Sequence, residues 1–227
     1  MSRWLWFSIT LTVIALGATL FLYTFGRDYL PSEAPVHWNI HGKPDQFVPR
    51  DDVLPYLLIS PISMGVMVGL TLLLPWLSPK SFGVERFRGT YEYVMTLVVA
   101  LFGYIQLTIL LATLGMETIR LMLCGLFLFF TLLGNVLGKV RRNFWMGVRT
   151  PWTLASELVW NQTHRVAAWL FVAIGLIGFV AALCNVDLIV VLVVFMAGAL
   201  FPVPYSLYLY KRLQRTGKLD APSESTT

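Results

Sequence analysis

Charge is scarce in this chain. Of its 227 residues only 13% are Asp, Glu, Lys or Arg, while 57% are hydrophobic; an ordinary soluble domain carries about 25% charged residues. A soluble fold of this length cannot cover its surface with so few polar side chains. A disordered chain or a long coiled coil needs more charge still. Cysteine is scarcer: Cys124 and Cys184 both fall in apolar stretches. That excludes a disulfide framework and leaves two thiols acting as small apolar residues. Short alternating apolar and polar segments are missing, which excludes a membrane β-barrel. There is no internal repeat, so a transporter built from inverted repeats is not supported. The apolar stretches also lack an ionisable side chain at mid-depth, where ion- and proton-coupled transporters usually carry one.

What the chain has instead is long uncharged runs. Residues 4–26, 53–79, 93–116, 121–138, 166–186 and 188–210 contain no Asp, Glu, Lys or Arg. About 20 apolar residues are needed for a helix to cross ~30 Å of hydrocarbon. The expectation is an all-α polytopic membrane protein, a bundle of six transmembrane helices in a lipid bilayer. The first run is longer than the roughly 7–15-residue core of a secretory signal and reads as an uncleaved helix.

The basic residues orient the bundle. One side carries Arg3, Lys80, Arg86, Arg88, Lys139, Arg141, Arg142, Arg149, Arg165, Lys211, Arg212, Arg215 and Lys218; the other carries only Arg27, Lys43, Arg50 and Arg120. Cytoplasmic loops are enriched in Lys and Arg, so both termini are expected on the cytoplasmic side of the membrane. The net charge of +5 is then a topology signal, not a sign of nucleic-acid binding. The expected organisation is a two-helix unit over 1–90 with an outer loop at 27–52, and a four-helix unit over 91–215 with an inner loop at 139–165. A disordered tail is expected over 216–227.

Within the runs, Gln106 and Asn135 are the costliest polar side chains to leave unpaired, and interhelical hydrogen bonding is expected of them. Gly65 with Gly69, and Gly134 with Gly138, are small-xxx-small pairs that permit close helix approach. Pro61, Pro202 and Pro204 each remove an amide donor and can kink a helix.

The outer loop holds His37, Trp38, Asn39, His41, Gly42 and Asp45 among Pro31, Pro35 and Pro44, which break any helix. Val36 to Ile40 reads as a short extended piece and Gly42 to Asp45 as a turn. Two histidines four apart share a face on a helix, but in a strand they stand about 13 Å apart. A third well-placed ligand is lacking, so no metal is expected. The reading is a folded cap in which His37 and Asp45 organise the turn.

The inner loop is the most specific stretch. Asn143, Gly147 and Arg149 precede Thr150 and Pro151, which read as an N-cap and a proline at the first helical position, with Thr153 as a second cap. Trp152 follows the proline, and a helix is expected to run on into the fifth span. Its face carries Glu157, Trp160, Asn161 and His164, and Arg165 lies beside it. A membrane-surface helix accounts for the tryptophans and arginines without chemistry; a binding site is the other reading. Glu157 with His164 suits acid–base work, but no nucleophile or oxyanion hole accompanies them. Arg149 and Glu157 would stand about 12 Å apart in a straight helix. The break at Thr150–Pro151 lets the chain fold back, and an ion pair between them is expected.

These residues resemble the SdpI family, bacterial membrane proteins named for immunity to a secreted killing peptide. Pro35, His37, Trp38 and Asn39 with Gly42 and Asp45 resemble that family's N-terminal domain of undefined function. Gly134 and Asn135, then Asn143, Gly147, Arg149 through Leu154, Glu157, Trp160, His164 and Arg165, are similar to its C-terminal signature. The resemblance implies a non-enzymatic immunity or sensor protein, with the outer loop meeting a secreted peptide toxin. It also implies an inner loop that holds a cytoplasmic transcriptional repressor at the membrane. No cofactor and no nucleic acid is implied. The alternatives are a membrane enzyme or transporter acting on a lipid-linked or peptide substrate, and a structural protein with no ligand.

Overall fold

The computed structural model describes residues 2–39, 41–79 and 82–219. Its elements in chain order are helix α1 (Arg3–Thr24), strands β1 (Glu33–Trp38) and β2 (Pro44–Pro49), and helices α2 (Leu54–Leu77), α3 (Arg88–Thr113), α4 (Ile119–Leu137), α5 (Pro151–Ala155), α6 (Glu157–Leu183), α7 (Leu188–Leu200) and α8 (Pro202–Arg215). Six helical stretches are long and apolar enough to cross a membrane, the last of them formed by α7 and α8 together. The break between those two falls at Phe201, and Pro202 occupies the first turn of α8, where a missing amide hydrogen is harmless. Pro61 lies inside the unbroken α2. The protein is thus an all-α polytopic membrane protein carrying one small hairpin, with large apolar side chains such as Phe21, Trp76 and Trp169 facing outward.

The helices α1, α2 and α3 pack on one another, and α3 also packs on α4. The most extensive pairing is α4 with α6, and glycine explains it. A Cβ on Gly134 of α4 would lie 2.8 Å from the Ala168 carbonyl oxygen and the Val172 nitrogen of α6. On α6, a Cβ on Gly175 would lie 2.7 Å from the Phe127 carbonyl oxygen, and one on Gly178 would strike the Phe127 ring. Small residues from both helices therefore bring the backbones together. Of the pairs expected from spacing, only Gly134 has this role: Gly138 barely reaches Ala168, and Gly65 and Gly69 face open space.

The chain alternates direction, so the hairpin at 33–49 and the loop at 138–150 lie at opposite ends of the bundle. The hairpin reaches α4 and α7 at their starts: a Cβ on Gly42 would lie 2.9 Å from Ile119 and 3.0 Å from Leu188. Trp145, from the loop, donates its indole N–H to Ser78 at the end of α2, 2.6 Å away. The start of the expected disordered tail is also tied down. The Lys218 amide donates to the Leu213 carbonyl at 3.0 Å, and the Leu219 carbonyl accepts from Ser156 at 3.1 Å. The rest of that tail, 220–227, lies outside the described residues, as do Ile40, Lys80 and Ser81.

Candidate functional site

The loop between α4 and α6 is built around buried polar side chains. Asn143 is fully buried and spends its whole amide on the backbone. Its Oδ1 accepts from the amides of Trp145 and Met146 at 2.7 and 2.9 Å, and its Nδ2 donates to the carbonyls of Arg141 and Met146 at 2.8 and 3.1 Å. Such a side chain replaces the secondary-structure partners that a loop backbone lacks. Gly147 follows with φ +107°, and a Cβ there would collide with the His164 ring. The next amide, Val148, donates to His164 Nε2 at 3.0 Å.

His164 and Trp160 form the floor beneath this loop. Both are buried on α6, and their rings stack at 4.0 Å between centroids. The Trp160 indole donates to the Val140 carbonyl at 2.8 Å, and His164 Nδ1 lies 2.8 Å from the Trp160 carbonyl. One ring nitrogen of His164 accepts and the other donates, which defines a neutral imidazole protonated on Nδ1. Thr150 caps α5 in a capping box with Thr153, whose hydroxyl also donates to the Val148 carbonyl at 2.8 Å. Thr150 and Trp152 converge on Ser206 of α8, and Pro151 sits at the first position of α5.

Three expectations change here. The helix does not run from Thr150 into the fifth span. It stops at Ala155, and Ser156 caps α6 afresh by accepting from the Val159 amide, so Thr153 closes the first cap and is not a cap itself. Arg149 does not pair with Glu157: its guanidinium donates to the Phe144 carbonyl five residues back. The second cap turns Glu157 away, to a cavity of about 230 Å³ lined by Gly83, Arg86, Arg141 and Arg142. The expected single face also divides, with Trp160 and His164 buried, Asn161 half-buried, and Glu157 and the neighbouring Arg165 exposed. The converging Arg86, Arg141 and Arg142 were not visible as a group in the sequence, because two membrane spans and the turn between them separate Arg86 from the others.

At the other end, β1 and β2 pair antiparallel with an irregular register between Pro35 and Trp38. Asn39 builds the turn: its Oδ1 accepts from the amides of His41 and Lys43 at 2.9 and 3.2 Å. Gly42 adopts φ +74°, and its amide donates to the Asn39 carbonyl at 2.9 Å. His37 Nδ1 and Asp45 Oδ1 meet across the hairpin at 2.6 Å, both well exposed. Among the described residues no three His, Cys, Asp or Glu side chains gather in a metal-binding group. Trp38, Pro35 and Val36 roof a cavity of about 180 Å³ whose floor includes Ser60, Ser63 and Phe102 of α2 and α3. Arg27 pairs with Asp51 at the base of the hairpin, and hydrogen bonding and charge from Asp51 push the guanidinium above its ordinary pKa.

The two intramembrane amides differ. Gln106 joins three helices, its Nε2 donating to Thr19 Oγ1 of α1 at 2.7 Å and to the Leu57 carbonyl of α2 at 3.0 Å. Asn135 makes no side-chain hydrogen bond among the described residues and is exposed. It lies two residues from the end of α4, close enough to the membrane surface that an interhelical partner is not required.

Comparison with known proteins matches both ends of this architecture. Residues 139–206, holding the loop and its floor, match the SdpI/YfhL protein family. Residues 10–55, holding α1 and the hairpin, match a domain of unknown function, DUF1648. The immunity protein SdpI of Bacillus subtilis (strain 168) is 27% identical over 210 residues, covering 91% of this chain and 95% of that protein. No solved structure matches significantly. With the motif loop matched as a unit and the relative aligned over most of the chain, the chain is similar to the SdpI family.

Proposed function

We propose that this protein is an immunity protein that protects its bacterial cell from a secreted antimicrobial peptide. The carrying observation is the similarity to the immunity protein SdpI along 91% of the chain, which takes in the hairpin and the motif loop alike. In this reading both termini are cytoplasmic. The 1–90 unit presents the hairpin outside, and the 91–215 unit presents the motif loop inside. The peptide engages His37, Trp38 and Asp45 and the cavity beneath them. The motif loop, from Asn143 to Arg165, holds a cytoplasmic repressor at the membrane.

Contact of the hairpin tip with the starts of α4 and α7 supports a link between the two ends, because α4 leads directly into the motif loop. His164 has both ring nitrogens committed within the loop and Glu157 faces away from it, which favours binding over acid–base catalysis or transport.

Expression in a toxin-sensitive host tests the proposal. Survival should rise with the intact protein and fall back with Trp38→Ala at unchanged membrane abundance. No protection against any secreted peptide from strains encoding a neighbouring homologue would end the immunity reading. Reporters fused after residues 45 and 150 should report opposite compartments, with the second cytoplasmic.

A further inference from the structure

Two basic residues at the motif-loop end are engaged singly. Arg88 pairs with Glu92 at 3.0 Å, and Arg149 donates to the Phe144 carbonyl. Arg86, Arg141 and Arg142 behave differently. Arg86 comes from the turn ahead of α3, and Arg141 and Arg142 follow α4, yet all three line one polar cavity of about 230 Å³. Among the described residues none of the three forms an ion pair, not even with Glu157 on the same wall. Three cations against one carboxylate leave the cavity positive. Arg142 is pre-positioned, its Nη1 donating to the Leu154 carbonyl at 3.0 Å and its guanidinium lying 5.5 Å over the Phe82 ring. The N-terminus of the 27-residue α6 opens at the same wall, since Glu157 is its first residue, and adds the positive end of its dipole.

We propose that this cavity is a phosphate-anion site at the membrane surface, filled by the headgroup phosphate of an anionic phospholipid in the adjoining leaflet. Guanidinium forks match phosphate oxygens in pairs, and a cluster of like charges gains from an anion that bridges it. The place suits a lipid: α4 ends just before the cavity and α3 and α6 begin at it, so it sits where headgroups lie. The charge suits one as well. Glu157 opposes a dianion more strongly than a monoanion, which favours a lipid phosphodiester over free inorganic phosphate.

Native mass spectrometry of the full chain in neutral detergent, titrated with dioleoyl phosphatidylglycerol or dioleoyl phosphatidylcholine, tests the site. Phosphatidylglycerol should be retained about tenfold more tightly than phosphatidylcholine. The Arg86→Gln/Arg141→Gln variant should lose most of that preference, whereas Glu157→Gln should strengthen it a few-fold. Arg142 is left intact because it also holds Leu154. Equal retention of the two lipids, or a preference that both variants leave unchanged, would overturn the site. Displacement of phosphatidylglycerol by millimolar inorganic phosphate would overturn the lipid assignment and make the ligand a soluble phosphate. Should the double variant fail to fold, Glu157→Gln decides alone: tighter retention supports the proposal and unchanged retention refutes it. No toxin enters the experiment, so its outcome is independent of the immunity reading.

Discussion

The two ends of the bundle use the same residue types for opposite purposes. Each has a histidine, a tryptophan, an asparagine that gathers backbone amides and a glycine at positive φ. In the hairpin, His37 and Asp45 are exposed and Asn39 and Trp38 are half-buried. In the motif loop, Asn143, Trp160 and His164 are at most 1% exposed. A buried polar group must find a partner or destabilise the fold, so every polar atom named there is committed to the loop's own architecture. An exposed pair exchanges its partner for water at little loss. The motif loop is therefore a closed fitting whose polar centre is spent on its own architecture. The hairpin keeps its chemistry free for contact.

Trp160→Ala should break the fold hardest. It removes the largest fully buried side chain, the stack on His164 and the donor to Val140. Large-to-small changes of this kind cost about 3–5 kcal/mol, which thermal unfolding in detergent would register as a large loss of stability. Trp38→Ala, beside an already open cavity, should cost clearly less. Equal losses would mean that the hairpin is as much a part of the core as the motif loop.

Gly147→Ala comes next and sharpens the comparison against Gly42→Ala. Both positions have positive φ, for which a side chain costs about 1–2 kcal/mol. At Gly147 the new methyl also strikes a histidine ring pinned at both nitrogens and stacked on Trp160, so nothing can yield. At Gly42 the nearest obstacles, side-chain carbons of Ile119 and Leu188, stand farther off, at 2.9 and 3.0 Å. Gly147→Ala should therefore be more destabilising, by about 1–2 kcal/mol in paired denaturation curves.

How much of this was legible beforehand follows from the same physics. The spans were, because a bilayer demands a fixed length of uncharged chain and charge marks each end. The capping residue Thr150 was too, since Thr-Pro at a helix start has a local cause. Ser156 carried an equally local signal, yet the second start it marks lay hidden inside an apparently continuous helical face. Missing that break led to the expected Arg149–Glu157 pair. Hairpin pairing was only half visible: prolines and a turn were clear, but strands without alternation leave no periodic trace. Gly175 and Gly178 were passed over because glycine is common in membrane helices, and only the partner helix reveals which ones are needed. Convergence of Arg86 with Arg141 and Arg142 is long-range and has no sequence spacing to betray it.

A double-mutant cycle on Arg149→Lys and Glu157→Gln should be additive within about 0.5 kcal/mol, because the two side chains share no partner. Coupling beyond that would restore the pair and undo the assignment of Glu157 to the arginine cavity.

The smallest effect is expected at the His37–Asp45 contact. It is short, at 2.6 Å, but its side chains are 57% and 41% exposed. Exposed ion pairs contribute about 0–1 kcal/mol, because water screens the charges and each side chain loses entropy in holding the geometry. The turn between them is already fixed by Asn39 and Gly42 through backbone hydrogen bonds that do not involve either side chain. His37→Ala, Asp45→Ala and the double variant should thus unfold within about 0.5 kcal/mol of the parent, and added salt should shrink even that difference. Losses of about 3 kcal/mol or more, the range of a buried pair broken on one side, would show the hairpin to be built like the motif loop. Stability without function is the informative case. If His37→Ala unfolds like the parent yet loses protection in the survival assay, the side chain acts on a partner, which the free hairpin chemistry predicts and the committed chemistry of His164 does not.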